Sequence, residues 1–425
     1  MTALLDTPMR PFFGWRVVAA TFLLATFGWG IGFYGPSVFL YAVVARTGWP
    51  VAMVSAAVTA HFLVGAVVVA NLPAFYRRFG VPGTTVLGAI LLALGTLGWA
   101  LAEQPWQLFV AAFASGAGWV TMGAAAVNAL IAPWFVQRRP AALGMAYNGA
   151  SLGGVIFSPL WIALITAIGF APAALAIGSI MVSVVVLLAV LVFSRTPERL
   201  GQRPDGDGPP AAARKATTAA PLGHQLWRDL RLLTLSAGMT LGLFAQIGLL
   251  AHLFSLLVPV LGESGAGLAM GGATLAAIVG RSAVGWLIPP AADRRLVASV
   301  SNGVQLVGSC LFILSAGASG PWLVLGIMLF GLGIGNTTSL PPLIAQAEFT
   351  PDDTARVVPL IVAVGQAGYA FAPAVFGLLR NGALIDGHVA SERGIFFAFA
   401  AVIQLGAIGC FVAGRKRWSN DAADE

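Results

Sequence analysis

The sequence predicts an all-α integral membrane protein of twelve transmembrane helices in two pseudo-symmetric six-helix bundles. Three observations carry that prediction. Of the 425 residues, 58% are hydrophobic and 9% charged, with a mean hydropathy of +0.88; a soluble domain is nearer about 45–50% apolar and about 25% charged. Twelve apolar runs each reach the roughly 20 residues that a helix needs to cross the hydrocarbon core. One long polar interval, 195–230, divides those runs six and six. A soluble fold this apolar would expose large patches and aggregate, so the bilayer is its solvent. That excludes a soluble enzyme, a disordered scaffold and a nucleic-acid-binding module.

In order, the first bundle (1–194) carries runs at 16–44, 51–75, 82–102, 106–134, 140–168 and 172–194. The second (231–425) carries 231–261, 265–288, 295–317, 321–346, 354–380 and 393–414. Alternation over about ten residues, the mark of a membrane β-strand, is absent. The first run follows a short polar tail without a small-residue cleavage site and reads as a retained helix rather than a signal peptide. The interval between the bundles has a Pro204–Pro210 core followed by Ala/Thr-rich sequence, the composition of a flexible linker.

Charge sets the expected orientation. With an even number of helices both termini share a side, and 19 of the 23 Lys and Arg residues fall on it. Only Arg46, Arg380 and Arg393 fall opposite, and Arg281 stays within a run. The bias places both termini in the cytoplasm and the protein in the cell (inner) membrane as a multi-pass chain. The formal charge of +7 then belongs to loops facing anionic lipid. Cys310 and Cys410 lie inside apolar runs and imply no disulfide framework.

Phe113–Gly118 (FASGAG) and Phe330–Gly335 (FGLGIG) echo one another at an offset of 217 residues, close to half the chain. The six-plus-six arrangement with a long central loop resembles the major facilitator superfamily. Members of that family bind substrate between their halves and rock to expose it to either side. The family's loop signature Gly-x-x-x-Asp-Arg-x-Gly is degenerate here, reading Pro73-Ala-Phe-Tyr-Arg-Arg-Phe-Gly80.

Ionisable groups within the runs are few. None of the 16 carboxylates falls inside a span, which leaves Arg281, His61 and His252. A charge at a helix centre costs about 2.5–3.5 kcal/mol on insertion scales, so such residues usually face a polar cavity. Arg281 reads either as an arginine snorkelling to the interface or as a clamp for a substrate carboxylate, and the lack of an intramembrane acid favours the clamp. His252 reads either as a proton-carrying group or as a packing residue, and His61 is a second proton-coupling candidate. Tyr34, Tyr147, Tyr369, Gln366 and Asn336 are further substrate-binding candidates. Tyr369 and Gln366, three residues apart, share one face of helix 11. Pro36, Pro159, Pro359 and Pro373 are candidate bends.

Phe13–Val18 and Phe33–Phe39 resemble the helix 1 segments of bacterial monocarboxylate and oxalate/formate-type carriers, and Gly280-Arg281-x-x-x-Gly285 is similar to their helix 8. That resemblance implies that Arg281 binds a carboxylate. The chain departs from those families at Ala277, where an aspartate is usual, and in having no lysine in helices 1 or 11. One intramembrane cation suits a monoanion better than a dianion.

No phosphate-binding loop, HExxH, CxxC or nucleophile elbow is present, so neither an enzyme nor an ATP-driven pump is expected, and no cofactor or metal. The expected activity is secondary transport of a small organic monoanion, with protons as candidate co-substrate, by a single chain. The alternative is carriage of a larger, mostly uncharged metabolite such as a vitamin or drug, and a remote one is a non-transporting membrane enzyme or sensor.

Overall fold

The structure, a computed structural model, describes residues 12–136, 138–205, 228–287, 292–315, 320–383 and 389–415. The central part of the linker (206–227), with Arg214 and Lys215, lies outside the described residues, as do Arg10, Lys416, Arg417 and Ile288–Pro290.

The first half comprises α1 (Gly14–Gly32), α2 (Gly35–Thr47), α3 (Val51–Leu101), α4 (Pro105–Trp119), α5 (Ala124–Ile131), α6 (Arg139–Ile168) and α7 (Phe170–Leu188). The second comprises α8 (Leu230–Leu287), α9 (Arg294–Leu314), α10 (Gly320–Glu348), α11 (Pro351–Tyr369), α12 (Ala372–Ala383) and α13 (Val389–Ala413). Ten helical segments among the described residues are long and apolar enough to cross a membrane.

Two of these are far longer than one crossing requires: Val51–Leu101 has 51 residues and Leu230–Gly285 has 56. At 1.5 Å per residue each would run roughly 75–85 Å against a core of about 30 Å. Each is broken at a glycine with left-handed backbone, Gly80 at φ 69° and Gly262 at φ 69°, a region that disfavours any residue with a Cβ. Ser115 of α4 shows the reversal at Gly80 directly. Its hydroxyl contacts His61 Nδ1 at 2.9 Å and Trp99 Nε1 at 3.1 Å. Those partners are 38 residues apart and would stand roughly 57 Å apart on a straight helix.

Proline breaks the helices selectively. Pro36 has no N–H to give the carbonyl of Gly32, and α1 ends there. Tyr369 and Ala372 flank a second break, just before Pro373, between α11 and α12. Pro159 and Pro359, also expected as bends, sit inside the continuous helices α6 and α11.

Glycine sets the helix spacing within each half. A Cβ on Gly116 would lie 2.1 Å from the carbonyl oxygen of His61, and one on Gly280 would lie 1.9 Å from that of Leu332. The backbones are therefore in contact, as small residues allow between membrane helices.

The halves meet toward the ends of the helices remote from both termini, here the distal side. Glu263 accepts hydrogen bonds there from Tyr41 Oη (3.0 Å) and Thr166 Oγ1 (3.2 Å), while the Ala374 N–H donates to Thr59 Oγ1 at 3.0 Å. Gly377 lies against Ser55, and Gly271 against the Val155 carbonyl.

On the termini side, the polar ties seen among the described residues lie within each half. Arg295, buried at the start of α9, forms a bidentate pair with Glu348 (2.6 and 2.8 Å) and donates to Thr234 and to the Arg231 carbonyl. Asp293 caps α9 through the N–H groups of Arg295 and Leu296 and pairs with Arg415 at 2.6 Å. The first residues of the linker are docked rather than free. The Asp205 carboxylate accepts from the backbone of Val136 and Arg138, and Gln202 Oε1 accepts from the Phe13 N–H.

Partial burial raises the Asp293 carboxyl, but its backbone donors and Arg415 outweigh that and hold it below the usual carboxylate range. A carboxyl held low in the folded state stabilises at neutral pH and loses that contribution as the pH falls through its folded pKa. Asp293→Ala is therefore expected to cost about 0.5–1 kcal/mol at pH 7, with the difference from wild type closing below about pH 4; thermal unfolding in detergent across pH checks this. Gly116→Val should destabilise by about 1–3 kcal/mol through overpacking, while Gly303→Ala, where a Cβ meets nothing within 4 Å, should not.

Candidate functional site

The break between α1 and α2 builds the centre of the molecule. The carbonyl that Pro36 leaves without a helical donor, Gly32 O, lies 2.9 Å from His61 Nε2. That assigns the Nε2–H tautomer, so Nδ1 accepts from Ser115 Oγ, which in turn accepts from Trp99 Nε1. His61 is buried, and the Trp119 ring stacks on it with centroids 6.2 Å apart. Both ring nitrogens are thus engaged in holding the bend.

The bend points Phe33, Tyr34 and Ser37 into a cavity between the halves, closed opposite by Phe62 of α3 and by Leu250 and Met270 of α8. The space holds about one or two water molecules, so in this conformation the halves enclose the site closely. Its wall is largely apolar and aromatic. Phe33, Phe62 and Trp119 meet edge-on or tilted at 6.1 Å, and Tyr369 packs edge-on against Phe62 at 5.9 Å. Gln366 is half-buried one turn away on α11.

One stripe of α8 runs from this cavity to Arg281. Met270, Thr274 and Arg281 fall within roughly 40° of one another around the helix, and Arg281 lies roughly 16 Å beyond Met270. Thr274 and the Tyr34 ring flank Gly154 of α6, whose missing side chain makes room for both. Side chains lean toward the N-terminus of their helix, which for this limb of α8 is the distal side. The Cα–Cβ bond of Arg281 thereby leans toward the cavity end of the stripe. Tyr34 and Arg281 lie within electrostatic range of one another.

Arg281 rests across Gly335 of α10, where a Cβ would come within 2.9 Å of Nε. Its Nε is buried without a hydrogen-bond partner, and among the described residues no carboxylate pairs with it. Beside it Asn336, 3% exposed, donates long hydrogen bonds from Nδ2 to the carbonyls of Gly280 (3.4 Å) and Leu332 (3.5 Å), leaving Oδ1 unpartnered. The corner formed by the α1–α2 break, α8 and α10 therefore holds a half-buried cation, an unpartnered acceptor and a phenol. Such a set recognises a small anion that also carries a hydrogen-bond donor.

The other expected residues lie elsewhere. Tyr147 accepts from Asn128 at 2.7 Å, donates to the Ala124 carbonyl and contacts Trp29, a tie within the first half. Fully buried His252 reaches the Pro373 carbonyl through Nε2 at 3.0 Å, and its Nδ1 faces Arg380. Arg380 also donates to Ser255 Oγ at 2.6 Å. Sequence reasoning missed Phe33, Phe62, Trp119 and Thr274, since a single apolar or hydroxyl residue in a span carries no sign of the face it takes.

Solved structures share this architecture. The nucleoside transporter NupG superposes with a TM-score of 0.71 at 11% identity, over 95% of this chain and 98% of its own. A bacterial homolog of the human lysosomal transporter Spinster, inward-facing and occupied, gives 0.66 at 15% identity over 95% and 97%. Identities this low speak to the fold. Among curated proteins, MFS-type transporter 1 of Ophiocordyceps sp. (strain BCC 1869) is 30% identical over 197 residues, 45% of this chain and 42% of its own. MFS-type transporter pynF of Aspergillus niger is 39% identical over 70 residues, 16% of each. The chain thus matches less than half the length of either curated relative. A family model of the Major Facilitator Superfamily matches residues 17–373, from the first helix through the α11–α12 break, and the chain belongs to that superfamily.

Proposed function

We propose that the protein is a secondary transporter of small organic monoanions that works by alternating access as a single chain in the cytoplasmic membrane. The reversals at Gly80 and Gly262 support counting the ten apolar segments as twelve crossings, six per half, with residues 195–230 between them. The basic termini side is cytoplasmic on the positive-inside rule. With the distal ends closed on one another, the structure then corresponds to an inward-facing or occluded state.

The observation that carries the substrate reading is the unpaired guanidinium of Arg281 beside the unpartnered Asn336 Oδ1. A half-buried arginine whose Nε is enclosed without a partner or an acid is electrostatically incomplete, and a substrate carboxylate completes it. Tyr34 is the phenol we assign to that anion position, and Tyr369, which packs on the cavity residue Phe62, and Gln366 one turn away are our candidates for orienting the rest of the molecule. Tyr147 supports the site indirectly, through Trp29. The likeness of the helix 1 and helix 8 segments to monocarboxylate carriers points the same way.

A larger, mostly uncharged substrate is the second reading. The aromatic residues Phe33 and Phe62 of the cavity wall, backed by Trp119 and Tyr369, favour it, and a nucleoside transporter is among the structural neighbours.

Uptake of labelled monocarboxylates and of nucleosides into proteoliposomes separates the two. Monocarboxylate uptake should fall roughly 10- to 100-fold in Arg281→Ala, the loss of hydrogen bonds to a charged group; equal transport by wild type and variant overturns the anion reading, and nucleoside uptake that survives the substitution supports the second. Asn336→Leu should raise KM for 2-hydroxy acids more than for acids without the hydroxyl. As His61 and His252 are engaged at both ring nitrogens, we read them as holding the helix breaks. His252→Asn should then leave any stimulation by an imposed pH gradient in place, and loss of that stimulation would instead make His252 the proton carrier.

A further inference from the structure

We propose that the termini-side rim of the first half is a binding site for anionic phospholipid headgroups, assembled by the docking of the linker. The site is independent of what the protein carries and of Arg281.

Three segments distant in sequence meet at this rim. Gln202 Oε1 accepts from the Phe13 N–H at 3.0 Å, which brings the linker to the start of α1. The Asp205 N–H donates to the Trp134 carbonyl at 2.9 Å, and its carboxylate accepts from the N–H groups of Val136 and Arg138. These bonds hold the linker on the residues that lead into α6. Phe13 and Trp134 join the remaining two segments, with ring centroids 5.4 Å apart. Asp205 has φ 62°, the one positive value outside glycine among the described residues, so its three bonds fix a backbone that most residues avoid.

Docking gathers charge. Residues 12–16, 134–139 and 194–205 carry Arg16, Arg138, Arg139, Arg195, Arg199 and Arg203 against two carboxylates, Glu198 and Asp205. All six arginines are exposed, and among the described residues none has a carboxylate within ion-pair distance. Asp205 is turned to backbone N–H groups instead. The second half treats its arginines differently on this side. Arg231, Arg295 and Arg415 are paired with Asp229, Glu348 and Asp293. The positive field at this end of the molecule therefore belongs mainly to the first half.

What lies beside the arginines selects the partner. Trp15, next to Arg16, is exposed and packs on Phe135 with ring centroids 5.1 Å apart. Val136 is exposed just before Arg138 and Arg139, as are Val190 and Leu191 just before Arg195. The arginines thus continue an apolar surface of the kind that faces lipid. A guanidinium fork matches phosphate oxygens, and tryptophan settles at headgroup depth. A phospholipid covers both the charged and the apolar parts, whereas a nucleic acid would leave the apolar part bare. One basic residue near the surface favours an anionic headgroup about fivefold, an attraction that salt screens. The first half is then held by the leaflet's charge, and the second, neutralised internally, is not.

Spin-labelled phosphatidylglycerol and phosphatidylcholine, added to the full chain in proteoliposomes, report how much of each lipid the protein surface holds. Wild type should prefer phosphatidylglycerol about fivefold, and less at high salt. Arg138→Gln with Arg203→Gln should lower that preference to less than about twofold. Arg228→Gln with Arg356→Gln removes the same charge from the second half and should leave it in place. Asp205→Ala gives the sharpest contrast. It removes a negative charge, so general attraction of anionic lipid would rise, but undocking disperses the arginines and should weaken the preference. Gln202→Ala breaks the other docking bond without a change of charge and should weaken it too. Inorganic phosphate at matched ionic strength should not compete. The proposal is overturned by a wild type without preference, by equal losses in the two double variants, or by an Asp205→Ala protein that holds phosphatidylglycerol as well as wild type. Displacement of the lipid by phosphate alone would make this a site for free anions and overturns it as well.

Discussion

Inside hydrocarbon a carbonyl that loses its helical donor has no water to turn to, and the centre of this molecule is arranged around one such carbonyl. Pro36 removes the donor that Gly32 would have had, and His61 supplies another from a neighbouring helix. Ser115 and Trp99 complete the chain, so the bend in the first membrane segment is fixed by the limbs of α3 on either side of Gly80 and by α4. The bend delivers Phe33 and Tyr34 to the cavity. A proline, a histidine and a serine in three different helices thus act as one unit, and the substrate-facing aromatics depend on it.

The second half meets the same constraint with side-chain amides. Gln305 donates to Gln246 and Thr337, yet buried oxygens of Asn302, Gln305 and Asn336 have no donor. Arg281 stands beside the last of these. Unmet buried polar atoms occur in both halves, Trp119 Nε1 and Ser158 Oγ among them in the first, but in the second one of them stands beside a cation without an acid, which is where an anionic ligand has most to contribute.

Much of this was legible in sequence, and what was not has physical reasons. The apolar runs and the basic bias gave the helix order because the bilayer penalises charge so heavily that few arrangements are possible. Arg281 stood out as a guanidinium with no acid to accompany it. The break at Pro36 could be expected from its missing N–H, but the donor that repairs it could not, since pairing α1 with α3 is a tertiary fact. Pro159 and Pro359 carry the same local signal as Pro36 and sit in unbroken helices, so the neighbours decide whether proline ends a helix. Docking of Gln202 and Asp205 was hidden by a composition that otherwise reads as unstructured. Glu263 fell at a helix end, where a carboxylate is ordinary, and its place between the halves appears only when both are seen together.

The glycines at 80 and 262 bear on how the chain is made. A pair of helices joined through a single left-handed residue leaves almost nothing between them to pass through the translocation channel separately. Each pair is suited to leave that channel as a hairpin, with its two limbs already shielding each other's polar groups from lipid. In each pair the backbone freedom of one residue, Gly80 or Gly262, joins two long apolar limbs with no intervening loop.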